Sequence, residues 1–170
     1  MYKNFKDLLS VLNANKVKYL IVGGYAVSHH AQPRATKDLD LFVQPGPKNG
    51  VALHRALREF GSPVARLTPS DLVERGSFVR FGSPPEAVDL LPELDGVTFS
   101  AAWKNRVTAF VDEAADVAAN YISRADLISA KLAAGRPQDI ADVAAIRNAA
   151  KVSWKSKRRS MPKKPKRKAE

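Results

Sequence analysis

The chain has 170 residues, of which 45% are hydrophobic and 26% charged, so it can bury a core and is not disordered overall. It contains no cysteine, which excludes a disulfide framework, a thiolate zinc site, an iron–sulfur cluster and a cysteine nucleophile. The net charge is +11, but residues 151–170 hold ten of the 28 basic residues and one of the 17 acids, so this segment carries +9 and the rest is nearly neutral.

The chain opens with a predicted amphipathic helix over residues 4–15. Its apolar side chains fall on one helical stripe: Phe5, Leu8, Leu9 and Leu12. Asn4, with Asp7 three residues later, resembles a capped start. A strand over residues 17–22 follows, because a continuous apolar run of this length suits a strand covered on both faces.

The next elements alternate between helix and strand. A short helix is predicted over residues 25–31, before Pro33, and a strand over residues 38–43, where acidic and apolar residues alternate with period two. Residues 50–60 have the apolar spacing of a helix.

Three short strands are predicted in the second half of the chain. Two of them, residues 77–82 and 86–91, are separated by a hairpin-like connection, and a third covers residues 103–111. Two helices then follow: Ser123 caps the first, and Pro137 opens the second. The alternation predicts an α/β or α+β fold with a small mixed sheet flanked by helices.

We divide the chain into a domain over residues 1–150 and a flexible basic tail over residues 151–170. The tail has almost no apolar residues after Trp154, so it cannot bury enough surface to order itself. The start of the chain has no uninterrupted apolar stretch, so we expect a soluble, cytoplasmic protein without a membrane partner.

The most informative stretch is LIVGGYAVSHHAQPRATKDLDLFV, residues 20–43. A buried strand runs into Gly23 and Gly24 and then into a short helix. Glycine lets backbone amides approach a ligand closely, and a helix N-terminus presents free N–H groups, so this turn is a candidate phosphate cradle. The alternative is that it is only a turn.

Asp38 and Asp40 lie two residues apart in a predicted strand, so both carboxylates point to one face, roughly 6 to 7 Å apart. Two such carboxylates repel one another unless a cation lies between them, and Mg²⁺ prefers oxygen ligands. The alternative is that both acids face solvent and pair with Lys37 or Arg34.

A third acid, Asp89, lies between apolar residues in the strand AVDLL. If this strand lies beside the first, three carboxylates converge, and three carboxylates can hold two metal ions for phosphoryl displacement. The alternative is a strand-end residue bonded to backbone amides.

The Gly–Gly turn, PRATKDLDLFV and the later VDLL together resemble the nucleotidyltransferase superfold of DNA polymerase β type. Within it, the chain looks like the small bacterial domains related to AbiEii-type toxin nucleotidyltransferases. The resemblance covers residues 20–146. It differs from the family pattern at Gly24, where serine is common, and in lacking the added C-terminal domain of the larger toxins.

This resemblance implies transfer of a nucleoside monophosphate from an NTP to a hydroxyl. It places Asp38, Asp40 and Asp89 in the catalytic site, holding two Mg²⁺ ions for which Mn²⁺ can substitute. It places Gly23 and Gly24 at the phosphates. The implied setting is a toxin–antitoxin or defence system with a cognate antitoxin or other partner protein.

The resemblance also covers a later helical region, where the group carries a lysine, an arginine and aspartates. They fall here on Lys131, Arg136, Asp139 and Asp142. Lys131 lies beside the core face of its helix, where it could reach a triphosphate or be solvated. A structural ion-pair network is the alternative for the other three residues.

His29 and His30 end the short helix near the expected cleft. One of them could act as a general base, or the two could be an ordinary, partly exposed pair. The charge of the tail suits RNA or tRNA binding. The residues that would carry it are Lys155, Lys157, Arg158, Arg159, Lys163 and Lys164. Two other functions stay open: a non-catalytic regulator on the same fold, and a nucleic-acid-binding protein acting through its tail.

Overall fold

In the computed structural model, one six-stranded mixed sheet forms the centre of the fold. The structure describes the backbone of residues 1–160 and the side chains of residues 1–152 apart from Ala65. The strands, in chain order, are β1 (Tyr19–Ile21), β2 (Asp38–Val43), β3 (Val79–Phe81), β4 (Ala87–Leu91), β5 (Val107–Asp112) and β6 (Val117–Tyr121). Their order across the sheet is β3-β4-β2-β1-β6-β5.

Two strand pairs at the centre of the sheet are parallel. β2 runs parallel to β4, and β1 parallel to β6, whereas the remaining neighbours are antiparallel. β1 is buried along its whole length, in agreement with its continuous apolar sequence. The predicted mixed sheet is therefore confirmed.

Six helices surround the sheet. They are α1 (Lys3–Ala14), α2 (Gly23–His30), α3 (Pro47–Phe60), α4 (Phe99–Asn105), α5 (Arg124–Ala134) and α6 (Pro137–Ser160), with a short 3₁₀ helix at Pro63–Arg66. The predicted apolar stripe of α1 is confirmed, because Phe5, Leu8, Leu9 and Leu12 are all buried. Ser123 caps α5 by accepting a hydrogen bond from the Asp126 amide, and Gly135 ends it in a left-handed conformation.

Two local predictions were wrong, and one strand was missed. Asn4 does not cap α1, because the helix begins at Lys3 and the Asn4 side chain donates a hydrogen bond to Glu86. Residues 103–105 belong to α4, since Phe99 and Ala102 bury one side of that helix and Trp103 stacks on Phe99. Strand β6 was not predicted at all.

The C-terminal helix α6 continues past Ala150, the predicted end of the domain, to Ser160. The predicted tail, residues 151–170, therefore begins inside that helix. Its proposed RNA-binding side chains lie outside the described part of the chain: Lys155, Lys157, Arg158, Arg159, Lys163 and Lys164. Within residues 1–160, no helix is both long and apolar enough to cross a bilayer.

Candidate active site

The sheet brings the three predicted carboxylates to one place. Asp40 on β2 lies in register with Asp89 on the parallel strand β4, and Asp38 lies two residues earlier on β2. Residues in register on neighbouring strands point to the same face, so all three side chains share one face of the sheet. We call them, together with Arg80, the carboxylate cluster.

The predicted glycine turn lies directly against this cluster. Gly23 has φ +57°, and a Cβ built there would lie 1.8 Å from Oδ2 of Asp40. A Cβ on Gly24 would lie 2.5 Å from the Thr36 hydroxyl. Both positions therefore need glycine, the first because of its backbone conformation as well as its close neighbour.

The Gly24 backbone also faces Asp40. Its amide lowers the pKa of that carboxyl, although by less than burial and the neighbouring acids raise it. The glycine turn thus presents its backbone to an acid of the cluster and to the space in front of it.

The ionisation of Asp40 reflects this crowding. Burial, followed by the charges of Asp38 and Asp89, raises the pKa of Asp40 from 3.8 to about 6. The Gly24 amide and the charge of Lys131 lower the pKa, but by less. The positive charge around this acid is therefore insufficient to offset its burial and its like-charged neighbours.

Arg80 on β3 is a site residue that the sequence prediction missed. Its Nε lies 2.6 Å from Oδ1 of Asp89 and its Nη2 2.6 Å from Oδ2, and the same Nη2 lies 3.2 Å from Oδ2 of Asp38. This contact raises the pKa of Arg80, through the hydrogen bond and the charge of Asp89. The alternative for Asp89, a residue bonded to backbone amides, is not what the structure has.

A second ionic group faces the carboxylate cluster, and we call it the lysine cluster. Lys131 Nζ lies 2.9 Å from Asp139 and 2.8 Å from Asp142. Arg136 Nε lies 2.6 Å from Asp139, and Arg34 Nε lies 3.4 Å from Asp142. The predicted ion-pair network is confirmed, and Lys131 belongs to it.

The lysine cluster is deeply buried. Lys131 is 7% exposed and the two aspartates 3% or less, so the solvated position considered for Lys131 is wrong. Burial alone would raise the pKa of Asp139, but hydrogen bonds from Arg136 and Lys131 outweigh it and hold the pKa below its usual value.

The two clusters line one cavity of about 420 Å³, which also includes Gly23 and Gly24. This volume lies in the range of small-molecule sites. The cavity therefore has the carboxylate cluster on one side and the lysine cluster on the other.

The two histidines lie outside this cavity. His30 is buried, with Nε2 2.7 Å from the Ile122 carbonyl oxygen, and His29 stacks on Tyr121 at 4.3 Å. Neither lines the cavity, so neither is placed as a general base, and His30 is not an exposed residue either.

The carboxylate cluster fits a hard divalent cation by its chemistry. Its donors are oxygens, and the pKa of Asp40 is raised by burial and then by the charges of Asp38 and Asp89, so a further cation would favour its ionised form. Among the described residues, no three His, Asp or Glu side chains are already grouped around a metal position. Arg80 instead occupies the oxygens of Asp89 and Asp38.

Such a site — carboxylates on neighbouring strands, behind a glycine turn that leads into a helix — is typical of nucleotidyl transfer. The chain matches, over residues 2–166, the family described as "Nucleotidyltransferase of unknown function (DUF6036)", and it belongs to that family. No curated protein matches the chain.

Proposed function

We propose that the chain is a Mg²⁺-dependent nucleotidyltransferase that moves a nucleoside monophosphate from an NTP to a hydroxyl and releases pyrophosphate. One observation carries the proposal: Asp40 and Asp89 lie in register behind Gly23, on the wall of a cavity that also holds the lysine cluster. Membership of a nucleotidyltransferase family supplies the general reaction class.

Asp38, Asp40 and Asp89 would hold the metal, two Mg²⁺ ions for which Mn²⁺ can substitute. The bound ions would neutralise charge on the phosphates and make the attacking hydroxyl more acidic. The support is the donor set itself, since three carboxylates on adjacent strands share one face, and burial and the like-charged neighbours raise the pKa of Asp40.

The chain's own residues would orient the reactants and move one proton. Asp89 accepts the proton of the acceptor hydroxyl at a carboxylate oxygen. The hydroxyl oxygen forms a bond to the α-phosphorus, while the bond from that phosphorus to the bridging oxygen breaks, and pyrophosphate leaves with the electron pair. The contribution of the site is mainly positioning and charge neutralisation.

Gly23, Gly24 and the lysine cluster would bind the rest of the nucleotide. The lysine cluster has three cations against two carboxylates, so it carries an excess positive charge toward the cavity. We propose that Lys131 and Arg136 attract the triphosphate through this charge, with Lys131 held by its two aspartates.

The acceptor carries a hydroxyl and, we propose, is a polyanion such as an RNA or tRNA end. The support is the charge of +9 on residues 151–170, which would attract phosphates without sequence preference. A cognate antitoxin is the proposed protein partner.

The direct test is to incubate the full chain with Mg²⁺ and NTPs labelled either on the α- or on the γ-phosphate, with total RNA or a cell lysate as the source of acceptor. Label from the α-phosphate alone should appear in a macromolecular product, with pyrophosphate released. Label transferred from the γ-phosphate would indicate a kinase and would contradict the proposal. Gly23→Glu should abolish product formation, because the new side chain would collide with Asp40.

A non-catalytic binding protein is the second candidate function. The observation that favours it is that Arg80 and Lys131, basic side chains that line the cavity, are both already paired with acids. For this candidate, Mg²⁺ with NTP raises the melting temperature but no labelled product forms in the same assay.

A further inference from the structure

Arg80 occupies the oxygens that the proposed function assigns to a metal. We propose that Arg80 is an internal counter-ion of the empty site, which competes with a divalent cation for Asp89 and Asp38 and leaves them when the cation binds. This inference rests on the proposed metal site but not on the transfer reaction.

The position of Arg80 is set by the sheet. Arg80 and Asp89 are a register pair of the antiparallel strands β3 and β4, so their side chains leave the sheet on the same face. The guanidinium then meets Asp89 through two nitrogens, each 2.6 Å from one carboxylate oxygen. Both oxygens of Asp89 are thereby engaged.

This pairing opposes metal coordination by the same atoms. The guanidinium occupies one lone pair on each Asp89 oxygen and one on Asp38, and a divalent cation beside it would be repelled by its like charge. Coordination by these two acids is therefore weakened while the guanidinium stays and is favoured when it moves away.

The surroundings of Arg80 allow that movement. β3 has three residues and lies at the edge of the sheet, and the Arg80 side chain is 48% exposed. Its other neighbour is the ring of Phe78, 5.8 Å from the guanidinium carbon. The side chain can rotate into solvent without moving the backbone, whereas Asp89 stays fixed in β4.

The consequence is that Arg80 weakens metal binding in the absence of nucleotide. It keeps part of the carboxylate cluster neutral while the site is empty, and a cation must displace it.

The test is Mn²⁺ binding to the full chain without nucleotide, measured by calorimetry and by the electron paramagnetic resonance signal of free Mn²⁺. Arg80→Ala should bind Mn²⁺ about five- to tenfold more tightly than the wild-type chain. Arg80→Lys, which keeps the charge but loses the two-pronged contact, should lie between them. Arg75→Ala, the loss of an exposed arginine five residues earlier, should change affinity less than twofold and serves as the matched control.

A second measurement follows the wild-type side chain itself. The Nε–Hε signal of Arg80 in an ¹⁵N spectrum, assigned by its loss in Arg80→Lys, should shift and exchange faster with water when saturating Mg²⁺ is added. A signal unchanged at saturation would show that the guanidinium stays in place and would overturn the inference.

The possible failures are distinguishable. Equal Mn²⁺ affinity for Arg80→Ala and Arg75→Ala overturns the role of Arg80 while leaving the metal site intact. If Mn²⁺ still binds tightly to the double variant Arg80→Ala, Asp89→Asn, the ion lies elsewhere. That result overturns both the role of Arg80 and the proposed metal site. Absence of Mn²⁺ binding in every variant overturns this inference together with the metal dependence of the proposed function.

Discussion

The carboxylate cluster and the lysine cluster face the same cavity, yet they hold their acids in opposite ways. The first has three acids and a single half-exposed arginine, and the pKa of Asp40 rises to about 6. The second has two almost fully buried acids and three cations, and the pKa of Asp139 falls. Burial disfavours the charged form in both, so the number and distance of the cations decide the result.

This difference indicates which cluster is complete without a ligand. In the lysine cluster, the cations of the protein suffice to keep the buried acids ionised. Removing one of these cations would leave a buried negative charge uncompensated. In the carboxylate cluster, the cations of the protein do not hold the pKa of Asp40 at its ordinary value, and a further cation would favour its ionised form. The carboxylate cluster is therefore the better candidate for a metal, and the lysine cluster is the better candidate for support of the fold and attraction of phosphate.

The largest expected effect comes from Asp89→Asn. Turnover in the labelled-NTP assay should fall by about a factor of 10³, because the proton acceptor is lost and the donor set for the metal is weakened. Nucleotide binding should persist in part, since Asp38, Asp40 and the lysine cluster remain. Asp95→Asn, at an exposed loop acid, is the matched control. Near-normal turnover in Asp89→Asn would remove this residue from the mechanism.

Lys131→Met should produce the largest loss of stability. The variant removes the cation 2.9 Å from Asp139 and 2.8 Å from Asp142, both of them buried. We expect the free energy of unfolding in urea to fall by about 3 kcal/mol at pH 7. Lys104→Met, at an exposed lysine of α4, should change it by less than about 0.5 kcal/mol. A loss below about 1 kcal/mol for Lys131→Met would mean that Arg136 and Arg34 neutralise the aspartates unaided.

The acids of the site could be predicted because their signal is local. Alternation along β2 places Asp38 and Asp40 on one face, and an acid amid apolar residues marks Asp89. The turn at Gly23 was equally visible as a sequence feature. In each case the residues that carry the sequence signal lie in one strand or within a few positions of it.

The cations could not be predicted in the same way, because their partners depend on strand register and helix packing. Arg80 meets Asp89 only because of the register between β3 and β4, which the predicted hairpin-like connection does not define. Lys131 is buried because α6 packs on α5 and brings Asp139 and Asp142 to it. Strand β6 was missed for a related reason: its position beside β1 becomes clear only in the complete sheet.

Asp40→Asn tests the cost of ionising this buried acid beside Asp38 and Asp89, through the pH dependence of stability in EDTA. The pKa of Asp40 is raised in the folded chain, so its favourable contribution is complete below pH 3.8 and is lost as the pH rises through about 6. Relative to Asp40→Asn, the wild-type chain should therefore lose roughly 2 to 3 kcal/mol of stability between pH 4 and pH 7. Urea unfolding at a series of pH values measures this difference. Parallel pH profiles for the two chains would contradict it.

Arg34→Ala should have the smallest effect, although Arg34 also pairs with an acid of the lysine cluster. Its Nε lies 3.4 Å from Asp142 and its side chain is 36% exposed, whereas Lys131 lies 2.8 Å from the same acid and is buried. Gln138 also donates a hydrogen bond to Asp142, so the acid keeps two partners without Arg34.

We expect Arg34→Ala to lower the free energy of unfolding by less than about 1 kcal/mol, as for exposed ion pairs. Because solvent ions screen exposed charges far more than buried ones, 0.5 M NaCl should remove most of this loss while leaving that of Lys131→Met nearly unchanged. Urea unfolding of both variants at low and high salt makes the comparison. Equal losses, with equal salt dependence, would show that the cluster acts as one cooperative network. Burial would then not explain the difference in stability loss between members of the lysine cluster. The contrast with the carboxylate cluster would rest on the balance of positive and negative charges alone.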